Sequence, residues 1–581
     1  MAAQPICEYV DVSGTRLEIA IRVPGIDAPV GTRFTLAVRR RNGRIVAQSR
    51  AEVIPRVNAV GVWSNSALRF DIGADALPQG SFRLELIAEH DQGDVALVEP
   101  STGLLASSRP LLVAGRRMQF FPSAGRPALW LRIAPDTAVD RVAWTVRNAV
   151  RDVAFAAHGR RFSWVRLARL LTHPVVPTGP IWLIGERSET ARDNGRALFA
   201  HLRETRPEAA VYYVISAQSP MRGAVEPLGN VLTHSSWRHR VMMLHADVLA
   251  NAYSIKHMLP SRWHPGAYMW QATWRIGARR VYLKHGVHLS PYAVKRANGG
   301  YDLLASVGEQ ESEALIATSG YQHHVQQTGL ARYDALVRPA QRSRTIVFMP
   351  TWRRYLVPTL FRSADDAEIP FQGSVYQRFL DAFLGSPELA ELLEVYDLRL
   401  LMVPHYNLAP VLALPEIASE RIEVLDAATA DIPGLLRSCD LLLTDYSSVQ
   451  FDVAYLGTPV VYCQFDEQEY SEGHGAFSWF EAGRDGFGPV TRDVDSTIEA
   501  IRRYAERGFD REAIYEARVE SVFAHQDRRN CARLVQAIDA LRAPDLAGAT
   551  EPASGQPHDG DLRAAQPRVD PDTVTGLPGS D

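Results

Sequence analysis

LLLTDYSSVQFDVAYLGTPVVY, residues 441–462, decides how this chain is read. Leu441–Thr444 is a short apolar run of the kind that forms a strand buried on both faces. Asp445, Tyr446, Ser447 and Ser448 follow as a turn. Ser447 or Ser448 can cap a helix through Val449–Leu456, and Gly457 ends it. Val460–Cys463 is the next strand. A strand, a turn, a helix and a strand in this little sequence make a βαβ unit with parallel strands. The N–H groups at such a helix start, with two hydroxyls beside them, suit a diphosphate. Capping alone would account for one serine, not two.

The alternation continues on both sides of this stretch. Apolar strands are predicted at 181–185, 211–215, 248–251, 281–286, 303–307, 345–350, 398–404 and 421–425, with a helix over 193–204 and helices between most of the others. The class is therefore α/β, with parallel sheets covered by helices, and the length fits two such domains meeting near 335–343. Residues 1–135 differ. Phe34, Leu36 and Val38, then Phe82, Leu84 and Leu86, alternate with polar or small residues, and Gly and Pro turns separate the runs, so a small β-sandwich is expected. Between them, Val142, Val146, Ala149, Val150 and Val153 fall at helical spacing among Arg141, Arg147 and Arg151, and a second arginine-rich apolar stretch follows from Arg160 to Leu171. A basic amphipathic segment of this kind suits an anionic membrane surface or a linker packed on the next domain. The expected division is thus 1–135 β-sandwich, 136–178 basic helical linker, 179–340 and 341–543 Rossmann-like domains, and 544–581 a disordered tail rich in Pro, Gly, Asp and Ala.

Bulk composition narrows the function. The 581 residues exceed one hydrophobic core, and the net charge of −3 provides no field to draw nucleic acid. Cys7, Cys439, Cys463 and Cys531 are scattered, which suggests neither a zinc site nor a disulfide framework. MAAQPICEYV lacks the basic start and apolar core of a signal peptide, and no apolar run approaches a membrane span, so a cytoplasmic protein is expected, peripheral at the inner face of the membrane. There is no P-loop, GxGxxG or HExxH, so NTP hydrolysis, NAD chemistry and a catalytic metal are not expected.

Ligands of open parallel sheets sit beyond the carboxyl ends of the strands, where several polar groups collect here. In VYLKHG, His285 can accept a proton near neutral pH and Gly286 is read as permitting a sharp turn; His288 is the weaker candidate. His405 ends the strand in LLMVPHYN. Thr351 and Arg353 follow strand 345–350, and Arg353 suits bidentate phosphate contact.

Taken in order, WLIGERSETARDNG (182–195), KHG (284–286), TGLARYDAL (328–336), MPTWRR (349–354), PHY (404–406) and the long block from Asp431 to Tyr470 resemble the CDP-glycerol glycerophosphotransferase family of teichoic-acid primases and polymerases. The resemblance spans about Pro180 to Ile538 and leaves out the first 135 residues. It implies a GT-B-like pair of Rossmann-type domains behind the β-sandwich. It also implies CDP-glycerol or a related CDP-polyol as donor substrate, CMP as product, a lipid-linked or polymeric envelope glycan as acceptor, and no cofactor. The motif histidines correspond to His285 and His405, and the phosphate-contacting turn to Thr444–Ser448. Where the family usually has Thr-Pro after KHG this chain has Val287-His288, with Pro291 later, and its Pro-Gly-Pro appears as Gly486-Phe487-Gly488-Pro489.

The mechanism that fits is in-line attack of an acceptor hydroxyl on the β-phosphorus. His285 is then the base, His405 and Arg353 stabilise the diphosphate, Thr351, Thr444, Ser447 and Ser448 hold it, and Asp445 fixes the turn. Asp466, Glu469 and Tyr470 are read as nucleotide contacts or as a solvated loop, and Arg332 and Asp334 as an interdomain hinge. A nucleotide-sugar glycosyltransferase and a noncatalytic glycan-binding protein are the rival readings, and homo-oligomerisation stays open.

Overall fold

The computed structural model describes residues 4–24, 33–54, 67–89, 95–125, 128–289, 294–353, 356, 371–405, 408, 412, 417–427, 429–474 and 478–542. The tail expected over 544–581, and Pro291, Arg354 and Tyr406 of the quoted motifs, lie outside them.

Leu441–Thr444 is the fourth strand in sequence of a six-stranded sheet, and all four of its residues are buried. Across that sheet the order is Ile422–Val424, Arg399–Met402, Thr345–Met349, Leu441–Thr444, Val460–Cys463 and Val490–Thr491, every pair parallel. A seven-stranded parallel sheet precedes it, ordered Val231–Thr233, Val211–Ile215, Trp182–Gly185, Val248–Asn251, Arg279–Tyr282, Leu303–Ala305 and Val325–Gln326. Both follow the doubly wound order in which the third, second and first strands are followed by the fourth, fifth and sixth. The chain is therefore α/β, with two Rossmann-type sheets. Each predicted parallel strand is present; 211–215 and 248–251 match to the residue, Arg279–Tyr282 begins two residues before its prediction and ends four before, and most of the others are trimmed at their ends. Three short edge strands, Val231–Thr233, Val325–Gln326 and Val490–Thr491, were not predicted, because two or three residues carry no periodicity.

Residues before Pro135 form two mainly antiparallel sheets, of five and seven strands, around a shared core that includes Ile19, Leu36, Phe70, Leu84 and Leu131. This β-sandwich is docked on the first parallel domain. Asp11 accepts from both terminal nitrogens of Arg296 at 2.6 Å, Arg109 pairs with Asp302, and Gly103 lies so close to the Arg296 carbonyl that a Cβ would not fit.

The linker is helical over Ala138–Ala157, capped by Thr137, and over Val165–Thr172. Its packed face is not the apolar one. Trp144, Asn148, Asp152 and Phe155 are buried, and Asp152 pairs with Arg166 and Arg275, both at 2.8 Å. Val139, Val142, Val146, Val150 and Val153 point outward and are 57–78% exposed. At the other end of the chain, helix Asn530–Arg542 packs Leu534, Val535 and Ile538 on the first parallel sheet, against Val281 and Leu303, although the expected division counts it with the second domain.

Candidate active site

The strand Arg279–Tyr282 delivers Lys284, His285 and Gly286 to the carboxyl edge of the first sheet. Lys284 takes the left-handed turn (φ 62°), a conformation uncommon for lysine. Its buried ammonium pairs with Glu311, which also accepts the His288 amide at 2.9 Å and the Val307 amide at 2.9 Å. The Asn194 side chain donates to the Lys284 carbonyl at 2.7 Å. The backbone bends at His285–Gly286, as read in the sequence, and Gly286 has a second role. It makes no left-handed turn, and a Cβ there would stand 2.9 Å from Ser448 Oγ. Glycine lets the loop of the first sheet touch the serine turn of the second.

Arg332 locks that approach. Its Nε and Nη2 donate to Asp452 at 2.6 and 2.8 Å, and its Nη1 donates to Asp193 at 2.6 Å and to the His285 carbonyl at 2.7 Å. One guanidinium thus joins helix Val449–Tyr455 of the second sheet to the N-cap of helix Asn194–Thr205 and the His285 loop of the first. The two acids hold the Arg332 pKa well above its ordinary value against burial. Asp334 accepts from the Asn530 and Cys531 amides, both at 2.8 Å, and so caps the returning C-terminal helix. Trp479 of the second half adds a bond from its indole N–H to the His288 carbonyl at 2.8 Å.

The His285 ring lies exposed on a cavity of about 260 Å³ between the sheets, with Tyr253 and Arg332 on one wall and Arg437 and Val449 on the other. It stacks on Tyr253, centroids 4.8 Å apart and planes 7° apart. Desolvation in the cleft, then the charges of Arg332, Arg187 and Lys284, push its pKa down to about 4, so the imidazole is neutral at physiological pH. His288 is placed 5.7 Å from it, ring to ring, and hydrogen-bonds with the Tyr282 hydroxyl at 3.2 Å.

Across the cleft, Ser448 makes no capping bond, and Ser447 reaches the Val449 amide only at 3.5 Å. The capping read in the sequence is therefore weak, and both hydroxyls stay partly exposed. Asp445 fixes the turn, accepting from the amides of Tyr446 at 2.6 Å and Thr351 at 2.9 Å. Thr444 is buried and donates to the Met349 carbonyl at 2.8 Å, so it ties two strands rather than facing a ligand.

Arg353, read in the sequence as a phosphate contact, is engaged inside the protein. Its side chain is fully buried, chelating Asp466 at 2.6 and 2.8 Å, pairing with Asp445 at 2.8 Å and donating to the Thr351 carbonyl at 2.7 Å. Tyr376, Tyr446, Phe465 and Tyr470 surround it, and Tyr446 and Tyr470 stack with centroids 3.6 Å apart. Fully buried among these acceptors, Arg353 anchors the turn from beneath. Asp466 is spent on the same pair, while Glu469 and Tyr470 stand half-buried on helix Glu467–His474. Thr351 Oγ1 and the Tyr446 hydroxyl are buried without a hydrogen-bond partner among the described residues. His405 follows strand Arg399–Met402, half-buried beside Trp352 (centroids 6.0 Å), and desolvation pushes its pKa down to about 4. Among the described residues one group has metal-ligand spacing, Asp11, His323 and His324 on the sandwich seam, and Arg296 already occupies both Asp11 oxygens.

Two Rossmann-type sheets facing a cleft at their carboxyl edges define a GT-B-like protein. Residues 166–540 match the model of the CDP-glycerol:poly(glycerophosphate) glycerophosphotransferase family, and the chain belongs to that family. It is 23% identical over 383 residues to the minor teichoic acid biosynthesis protein GgaB of Bacillus subtilis (strain 168), covering 64% of this chain and 41% of that one. It is 24% identical over 341 residues to the teichoic acid poly(glycerol phosphate) polymerase of the same organism, covering 53% and 42%. The chain thus spans about two fifths of the length of these relatives. Among solved structures, the wall teichoic acid polymerase TagF is similar at 15% identity and a TM-score of 0.46, over 69% of this chain and 98% of that one.

Proposed function

We propose that the chain transfers glycerol phosphate, or a related polyol phosphate, from a CDP-polyol to a hydroxyl of an envelope polymer. The acceptor oxygen bonds to the β-phosphorus, the bond from that phosphorus to the bridging oxygen breaks, and CMP leaves. The observation that carries this reading is the contact of Gly286 with Ser448, which sets His285 beside the Ser447–Ser448 turn. A neutral imidazole there takes the hydroxyl proton, and a bound diphosphate raises its basicity by offsetting Arg332 and Arg187. Ser447, Ser448, Thr351, Tyr446 and His405 are the donors for the diphosphate, and Glu469 and Tyr470 flank the nucleotide. Arg353, Asp445 and Asp466 hold these groups in place. Membership of the family and the names of the two relatives support the donor and the polymer.

No helix among the described residues is long and apolar enough to cross a membrane. The exposed valines of Ala138–Ala157, with Leu167, Leu170 and Leu171 nearby in sequence and arginines between, support resting on an anionic membrane surface. The deciding experiment is CMP release from CDP-glycerol and, separately, CDP-ribitol, with and without a polymer acceptor. Acceptor-dependent CMP from one donor supports the reading and names the polyol; no CMP from either, with the fold intact, overturns it.

A further inference from the structure

A basic cavity lies outside the region matched by the family model. It measures about 740 Å³ and opens between the seven-stranded face of the β-sandwich and helix Ala138–Ala157. Five arginines line it, Arg40, Arg41, Arg132, Arg147 and Arg151, and no described carboxylate does. Arg132 is decisive. Only 2% of this residue is exposed, and both terminal nitrogens are buried with no hydrogen-bond partner among the described residues. Its guanidinium lies 4.2 Å from the Trp144 ring centroid.

Acids on the surrounding elements have partners of their own, Asp140 accepting from the Thr137 hydroxyl at 2.6 Å. Glu85 pairs with Arg39 and Arg83, Asp136 with Arg117 and Arg141, and Asp152 with Arg166 and Arg275. A buried cation with no counter-charge costs free energy that a folded protein ordinarily avoids. Burial and nearby Arg147 lower the Arg132 pKa to about 10, and burial with Arg166 and Arg132 lowers that of Arg151 to about 9, so both stay charged at neutral pH. Phe121 and Trp130 add apolar ring surface between the charges, with Arg151 3.4 Å from the Phe121 centroid and Arg41 5.4 Å from that of Trp130.

We propose that this cavity is a binding site for a phosphodiester-linked polyol or sugar chain, held through at least two of its phosphates. The volume suits a ligand of several tens of atoms rather than one phosphate ion. Guanidinium groups supply paired donors to phosphate oxygens, and the rings receive the carbon backbone between them. A phosphate-bearing lipid shares the same chemistry, but a headgroup held in a bilayer plane meets the rim arginines and not the floor, where Arg132 sits. Resting on the transferase reading, the site holds the acceptor polymer away from the reacting end.

The test is titration of the full chain, without donor, with a short synthetic oligo(glycerol phosphate), with inorganic phosphate, and with phosphatidylglycerol vesicles. Saturable oligomer binding is expected, tighter than that of inorganic phosphate and weakened about tenfold or more by Arg132→Met, which corresponds to the loss of one or two charge-assisted hydrogen bonds. Arg132→Met should also raise the melting temperature, since it removes an unpaired buried charge, and Arg147→Gln at the rim should weaken binding with the fold untouched. Equal oligomer binding by wild type and both variants, or Arg132-dependent binding of vesicles alone, overturns the site. Because no CDP-polyol is present, failure here leaves the donor reaction standing, and CMP release judges that reaction by itself.

Discussion

Two arginines are buried to nearly the same degree and meet opposite surroundings. Arg353 has two carboxylates, a carbonyl and a ring of aromatic side chains around it; both terminal nitrogens of Arg132 lack a hydrogen-bond partner among the described residues. The first is a finished structural unit, because its charge is met inside the fold by two carboxylates. The second is unfinished, and an anion would complete it. The difference shows that burial alone does not assign a role to a charged residue; the state of its partners does.

Breaking the finished unit should have the largest effect. Arg353→Met leaves the buried Asp445 and Asp466 without this cation, with an expected loss of about 3–5 kcal/mol in denaturant unfolding. Arg353→Lys should recover little of it, since an ammonium cannot copy the planar fork that chelates Asp466. A small loss for Arg353→Met would erase the contrast with Arg132→Met. Arg332→Ala comes next. It strips Asp452 and Asp193 of their cation at a less buried site, so about 2–3 kcal/mol is expected. In activity it should lower kcat more than it raises KM, as the His285 loop loses its tether. The smallest effect is that of pH. His239, His285 and His405 have folded pKa values lowered to about 3, 4 and 4. Below the unfolded value near 6.5 the unfolded chain binds more protons than the native one. Their contribution to stability is therefore fully present above about pH 6.5 and declines as pH falls from there to about 3. A melting temperature independent of pH across that window would contradict neutral, desolvated histidines.

Much of the architecture was legible because it rests on local pattern. Continuous apolar runs announced the parallel strands, alternation announced the sandwich, and the order of polar groups after strand ends placed His285, His405 and Ser447–Ser448 on strand edges. What stayed hidden depends on distant partners. Arg353 reads as a phosphate ligand until Asp466, 113 residues on, is seen to occupy it. The tie from Arg332 to Asp452 spans 120 residues, and only the hinge reading of Arg332 anticipated it. Gly286 suggested the bend found at 285–286, but not the contact with Ser448 from the other sheet. The linker valines looked like a packing face because periodicity reports amphipathicity without saying which side meets the protein.

The most direct measurement is single-turnover CMP release by His285→Ala against wild type, with CDP-glycerol, an acceptor and matched melting temperatures. A fall on the order of 10²–10⁴ in rate, with donor binding retained, is the expected result for a general base at this position. Near-normal CMP release would remove His285 from the chemistry and, with it, the reading of the cleft as the place where the acceptor hydroxyl is activated.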